Sequence, residues 1–524
     1  MPDFHYTDGI RMKKQEPRKK MKLPDRYVTE MTDLLGAEAG DFFASYRQPP
    51  AVGLRANGLK LPPAALRERA PFRLAPVPWA PEGFYADGDE RPGRHPYHFL
   101  GLYYIQEPSA MLPAELLDAA PGDRVLDLCA APGGKATQLA PRLRGKGLLV
   151  VNDSAGERTK ALAKNIERAG VRGAVVLNEQ PARLAEAFGA FFDKVLVDAP
   201  CSGEGMFRKD PDMARAWERH SAERSARMQD GILRDAARLV RPGGRLVYST
   251  CTFNPRENEG TVARFLAAHP EFEAEPPDGP LPACFAPGRP DWLTPEEAAG
   301  LAPERQRSLA AAVRIWPHRC RGEGHFAVRL VRRPAEGLSE GGDADTAGSI
   351  IGRPDKAAGR RGRKPESAKA GTDAEADALR KFAAFLRESL PGWQPQSELV
   401  ARGGHLYKQP PGLPPLDGLR VVRPGLHLGF AGRHRFEPSQ ALAMALSCDQ
   451  AALSLRLSSG EADSERYLKG ETLQPDPDRL RAPDGSTARG TGWTLVCIDG
   501  FPAGWGRWDG RLLKNELLPG WRLI

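Results

Sequence analysis

Residues 124–143, RVLDLCAAPGGKATQLAPRL, decide how the rest of the chain is read. A short apolar run, RVLDLC (124–129), meets a Pro-Gly-Gly turn, and the turn opens a stretch with helical periodicity. The pattern repeats outward. LLVVND (148–153) precedes the amphipathic ERTKALAKNIERAG, which Gly170 terminates. AVVLNE (174–179), FDKVLVDAP (192–200), a long helix near 221–240 closed by RPGG, and RLVYSTCTF (245–253) follow. Apolar strands separated by helices predict a parallel sheet covered on both faces, a doubly wound, Rossmann-like α/β domain. Ligands of such sheets lie beyond the carboxyl ends of the strands.

The chain has 524 residues, which at roughly 150 per domain suggests about three domains. Hydrophobic residues make up 41% and charged residues 27%, so cores can form and wholesale disorder is excluded. A net charge of +8 permits a polyanionic partner, although a slightly basic surface is the commoner reason for it. The seven cysteines are odd in number and scattered, so no disulfide framework is expected and a reducing cytoplasm fits best. Without a CxxC or clustered Cys/His spacing, no metal site is expected. No apolar run is long enough for a membrane span, and no apolar segment follows the basic first 22 residues, which read as a solvated tail or an RNA-touching arm. From Pro334 to Thr372 the composition is Gly, Ala, Pro and charge, including Arg360, Arg361, Arg363 and Lys364, and this is read as a flexible linker. The expected organisation is a tail (1–22), an N-terminal domain (23–110), the α/β domain (111–333), the linker (334–372) and a β-rich C-terminal domain (373–524).

Three strand ends carry chemistry. In DLCAAPGGKA (127–136), Gly133 and Gly134 let backbone approach a ligand and offer free N–H groups. The P-loop spacing fails at Cys129 and Ala136, and GxGxxG is absent. Asp153, at the end of the second strand, suits the hydroxyls of a ribose, and Asn178 or Glu179, ending the third, can flank an adenine. A nucleoside pocket without phosphate-binding chemistry fits S-adenosylmethionine. The other two ends are DAPCSGEG (198–205) and STCTFNPRENE (249–259), which place Cys201 and Cys251 on neighbouring loops. Either cysteine alone reads as an inert buried thiol. Together with Asp198 they supply the residue types that cytosine C5 methylation needs: a thiolate to add to C6, an acid at N3, and a group to remove the C5 proton.

Four blocks, VLDLCAAPGGKATQLA (125–140), VND (151–153), VDAPCSGEGMFRKDP (197–211) and YSTCTFNPRENEG (248–260), resemble the Nol/Nop/Sun RNA cytosine-C5 methyltransferases, especially the bacterial RsmF type. Similarity extends to HPYHFLGLYYIQEPSAMLP (95–113), RIWPHRCRGEGHF (314–326), YLKGETL (467–473) and DGFPAGWGR (499–507). The resemblance implies that Cys251 is the nucleophile and that Cys201 assists product release. It also implies that Asp198 contacts cytosine N3, and that Cys129, Ala130, Ala131, Pro132, Gly133, Gly134, Lys135, Asp153, Asn178 and Asp198 hold S-adenosylmethionine. Asn178 is preferred to Glu179 as the third-strand contact.

The resemblance further implies an N-terminal RNA-recognition module and a C-terminal PUA-like RNA-binding domain. Arg55, in the alternating GLRANGLK (53–60), is a candidate RNA contact. Arg208 and Lys209, just past the Cys201 loop, are expected to meet the phosphates of a flipped nucleotide. Trp493, Trp505, Trp508 and Trp521 are either base-stacking residues or ordinary core. The expected protein is a cytoplasmic monomer whose partner is 16S rRNA or the small ribosomal subunit. Transfer RNA is the second substrate, a non-catalytic assembly factor the second function, and a small-molecule methyltransferase the third.

Overall fold

The computed structural model describes residues 22–87, 90–218, 222–334, 368–395 and 397–523. The basic tail before Lys22 and most of the linker, with its arginine cluster, lie outside the described residues. The last expected linker residues already belong to the helix Ala368–Ser389, whose alanines favour helix and whose Ala378, Phe382 and Phe385 are buried.

The N-terminal strands β1 (Val52–Ala56), β2 (Leu74–Val77), β3 (Ala80–Ala86) and β4 (Tyr103–Ile105) form an antiparallel sheet in the order β2-β3-β1-β4. The predicted α/β strands follow as β5 (Arg124–Asp127), β6 (Leu148–Asn152), β7 (Ala174–Leu177), β8 (Phe192–Asp198) and β9 (Val240–Thr250). They pair in parallel in the order β7-β6-β5-β8-β9, so the strand order reverses between β5 and β8 and opens a crevice at their carboxyl ends. On the β9 side, β10 (Phe272–Glu275), β11 (Ala286–Pro287), β12 (Val313–Ile315) and β13 (His325–Arg332) extend the sheet antiparallel. Two apolar clusters fill its faces, one containing Val125, Leu149 and Val176, the other Leu126, Val150 and Val195. The near-continuous apolar strands of the sequence are thus buried on both sides.

The C-terminal part forms two sheets. Strands β14 (Leu399–Arg402), β15 (His405–Lys408), β17 (Leu426–Ala431) and β18 (Phe436–Pro438) make one, while β16 (Val421–Arg423) leaves it to pair with β7. Strands β19 (Ser454–Leu457), β20 (Leu480–Arg481), β21 (Gly492–Ile498), β22 (Phe501–Trp508) and β23 (Leu513–Asn515) make the other. That last sheet shares one core with the N-terminal sheet: Leu54, Phe84 and Tyr97 pack in the same cluster as Leu455, Val496 and Trp508. Trp505, Trp508 and Trp521 are buried, and half-buried Trp493 lies near the guanidinium groups of Arg435 and Arg507. The three buried tryptophans are therefore core and not base-stacking surfaces.

Two expectations are corrected here. Cys284 pairs with Cys320 and Cys448 with Cys497 as disulfides, because packing brings their Cα atoms to 5.5 and 6.3 Å across 36 and 49 residues of sequence. Arg55 is not an RNA contact. It points inward at 2% exposure, and its guanidinium donates to Gln106 Oε1 (2.7 Å), Gly134 O (2.9 Å) and Thr137 Oγ1 (2.8 Å). Its neighbours in the alternating stretch do similar work, Asn57 bonding Gly101 O and Ala169 O, and Lys60 bonding Leu100 O. The polar residues of β1 and the turn after it thus help clamp the N-terminal module to the catalytic domain. Arg55→Ala leaves several buried carbonyl and side-chain acceptors without a donor. It is expected to cost about 2–4 kcal/mol in denaturant unfolding; an unchanged midpoint would place the side chain in solvent.

Candidate active site

The crevice between β5 and β8 is built around charge. Asp127 ends β5 and Asp198 ends β8. Past β5 the chain turns through Ala130 and Ala131, whose N–H groups donate to Asn152 O (2.7 Å) and Asp153 Oδ2 (3.3 Å). Gly133 then adopts φ of +111°, which favours glycine, and a Cβ there would stand 3.2 Å from Leu162 Cδ1. The helix Gly134–Arg142 starts directly after it, and Lys135, in its first turn, reaches back to Asp198 with Nζ 2.6 Å from Oδ2. Ser249 Oγ donates to Asp198 Oδ1 at 2.8 Å, and His325 Nε2 lies 3.6 Å from the same oxygen. Burial works against ionisation of Asp198, but Lys135 and His325 outweigh it and hold the carboxyl well below the ordinary range. Asp127 goes the other way: burial, reinforced by the neighbouring Asp198 charge, raises it to about 8, and among the described residues neither of its oxygens has a hydrogen-bond partner.

Cys201 and Cys251 face each other with their sulfurs 3.5 Å apart. Their loops are stitched together by Gly205 N to Cys251 O (2.8 Å), Ser202 Oγ with Thr252 Oγ1 (2.7 Å) and Phe253 N to Glu204 Oε2 (2.9 Å). Glu257 accepts from Ser202 N and Gln229 Nε2, anchoring the Cys201 loop from below. Gly205 has no room for a side chain, since a Cβ would sit 2.9 Å from Cys251 O. The Cys201 thiol is pushed well above its usual range, first by its hydrogen bond with Cys251 and then by burial. Cys129 is likewise pushed far up by burial and the carboxyls around it.

Asp153 is buried beside the glycine turn, where Ala155 N and Ala131 N bond its carboxylate and Arg158 lies 3.4 Å away. Asn178 stays at the crevice edge, its amide bonded to Asp153 O (2.8 Å). Glu179 turns away and accepts from Arg420 N (2.7 Å), at the approach to β16. Arg208 is corrected. Its side chain is 8% exposed and bonds Glu323 Oε2 (2.6 Å), Ser45 O (2.9 Å) and Gly322 O (2.7 Å), so it staples three segments together and has no free face for phosphate. Lys209 beside it is exposed.

Sequence reasoning missed Asp127, His325, Ser249 and Glu257. Asp127 and Ser249 lie inside the quoted motifs, and their position at strand ends was a usable signal. His325 lies in the block 314–326, whose place beside β9 no local pattern discloses. Among the described residues, no three His, Cys, Asp or Glu side chains converge as metal ligands, and no helix is long and apolar enough to cross a membrane.

Four family models match successive parts of the chain. They are the N-terminal domain of 16S rRNA methyltransferase RsmF (23–108), 16S rRNA methyltransferase RsmB/F (114–331), the first C-terminal domain of RsmF (384–446) and the RsmF PUA domain (454–523). Ribosomal RNA small subunit methyltransferase F of Erwinia tasmaniensis is 31% identical over 507 residues, covering 94% of this chain and 95% of its own. Its counterpart in Aeromonas hydrophila is 30% identical over 510 residues, covering 94% and 96%. The crystal structure of a methyltransferase homolog protein from Pyrococcus horikoshii matches with a TM-score of 0.50 at 28% identity, over 60% of this chain and 96% of that one. With homology running from the N-terminal module through the crevice to the last sheet, the chain belongs to the RsmB/F family of 16S rRNA methyltransferases.

Proposed function

We propose that this protein is an S-adenosylmethionine-dependent cytosine-C5 methyltransferase of 16S rRNA, working through a covalent Cys251 adduct. The observation that carries this reading is the pair of facing cysteines beside the Lys135–Asp198 ion pair.

The residues at β5 to β7 fit the cofactor. The glycine turn leaves backbone bare, Asp153 suits ribose hydroxyls, and Asn178 flanks the place of the adenine. Asp127 supplies the unmatched acceptor: a buried carboxyl with two partnerless oxygens suits the ammonium of the methionine moiety. Bound S-adenosylmethionine supplies the methyl group as an electrophilic sulfonium.

The rest belongs to the chain's own groups. Cys251, on the loop that follows β9, takes the nucleophile's part and Cys201 the release part, as the family resemblance implies. Its sulfur bonds to C6 of the target cytosine, and the electron pair of the C5–C6 double bond moves to make C5 nucleophilic. After C5 is methylated, its proton passes to a solvent water with assistance from Cys201, the C5–C6 double bond re-forms, and the Cys251–C6 bond breaks to return the thiolate. The part first expected of Asp198 is revised on chemical grounds. A carboxylate held ionised accepts hydrogen bonds and cannot donate one to N3. The side-by-side Lys135 ammonium and Asp198 carboxylate match the paired N3 acceptor and N4 amino donor of cytosine instead.

Cys251→Ala is expected to lower methyl incorporation into 16S rRNA at least a thousandfold while cofactor affinity stays within a few-fold; retained turnover would remove Cys251 as nucleophile. Cys201→Ala is expected to accumulate an RNA–protein adduct that survives a denaturing gel, and a gel without a shifted band would remove the release role. Asp127→Asn is expected to weaken S-adenosylmethionine binding about 10–100-fold by calorimetry, the weight of one charge-assisted hydrogen bond. The same variant has a pH signature. Asp127 binds its proton more tightly folded than unfolded, where a carboxylate titrates near ~4. Its contribution to stability is therefore complete below that range and lost as pH rises to about 8. The variant is thus expected to gain thermal stability over the wild type at pH ~8 relative to pH ~5, and parallel melting curves would contradict the assignment.

A further inference from the structure

His325 opens β13, and its backbone is fixed from several sides. It pairs with Ile315 of β12, and the next residue, Phe326, pairs with Thr250 at the end of β9, directly before Cys251. Gly324 before it has φ of +107° and is pressed so closely on Phe253 that a Cβ would fall 2.4 Å from the ring. Gly324 N also donates to Ser109 Oγ at 3.2 Å. The imidazole is thereby placed at 3% exposure, with Nε2 3.6 Å from Asp198 Oδ1, just beyond hydrogen-bond reach. Among the described residues, neither ring nitrogen has a hydrogen-bond partner. A buried polar ring that stands within ion-pair distance of a carboxylate but makes no hydrogen bond keeps donor capacity that the resting structure does not use. Its direction, toward a carboxylate at the mouth of the crevice, points to a use in the substrate complex.

We propose that His325 is a positioning residue that orients Asp198 for recognition of the target base. The inference rests on the base-methylation reading above. When the base enters, Nε2–H closes the gap and donates to Asp198 Oδ1. The carboxylate has about four lone-pair sites. Ser249 and His325 then occupy those of Oδ1, and Lys135 takes one on Oδ2. The remaining site on Oδ2 is then the one that accepts an N–H of the cytosine amino group. A uracil presents a carbonyl oxygen at the same place and meets the carboxylate acceptor to acceptor, so the contact discriminates between the two bases. His325 acts on that discrimination without touching the base.

The test compares wild type with His325→Phe and His325→Gln, using 16S rRNA or small subunits and synthetic RNAs with cytosine or uracil at the target position. His325→Phe is expected to lower kcat about 10–100-fold with KM for RNA and affinity for S-adenosylmethionine within about twofold. Its preference for cytosine over uracil RNA, read as the ratio of their methylation rates, is expected to fall by a similar factor. Its melting temperature is expected to stay close to that of the wild type, since the phenyl ring fills the same buried place. His325→Gln, whose amide can donate to Asp198, is expected to restore most of the rate. Wild-type kcat in His325→Phe, or a His325→Gln variant as slow as His325→Phe, overturns the proposal while leaving the methylation reading intact. Absence of 5-methylcytosine with the wild-type protein on every RNA overturns both.

Discussion

The 2.6 Å ion pair between Lys135 and Asp198 ties the first helical turn after the glycines to the far end of β8. It spans the point where the strand order reverses, so one contact fixes the relative position of the two loops that must cooperate. Removing either member would leave a largely buried charge uncompensated, a change that typically costs about 3–5 kcal/mol. The surrounding groups take their states from it. Asp198 stays ionised because Lys135 is there, and its charge is one of the forces that keep neighbouring Asp127 protonated. Acids at the ends of adjacent strands thus end in opposite protonation states, one as a fixed acceptor and one as a neutral group waiting for a partner.

Around this charge centre the thiols are held by loops rather than by regular elements. The Cys201 and Cys251 loops bond each other through backbone, hydroxyl and carboxylate contacts, and Glu257 supports one of them from beneath. The result is two sulfurs at contact distance on two separately anchored loops, which suits a reaction with separate bond-making and bond-breaking steps. The buried arginines serve the same end at longer range. Arg55 holds the helix that carries Lys135, and Arg208 holds the loop that carries Cys201.

The parallel sheet was legible because its strands are short apolar runs between helices, a pattern set by burial on both faces. The crevice was legible because each motif falls at a strand end. What local pattern could not disclose is where a side chain points when its partners are far along the chain. Arg55 bonds Gln106 across 51 residues and Arg208 bonds Glu323 across 115. Arginine in a turn-rich segment reads as exposed, since it is seldom buried without a partner, and here the partners come from tertiary packing. The cysteine pairs are hidden in the same way, as is His325, which reaches Asp198 only because β13 folds back along β9. The protonation of Asp127 is less visible still, since it depends on burial and on a neighbouring charge rather than on sequence spacing.

The N-terminal sheet and the final five strands share one hydrophobic core, while β16 docks along β7. The chain therefore closes on itself like a ring with the catalytic sheet as part of its circumference. In such a ring the joining segment between the catalytic domain and the last two sheets does not decide where those sheets sit, because packing has already fixed both of its anchor points. Insertions, deletions and drift in composition can accumulate there while the geometry of the crevice stays as it is.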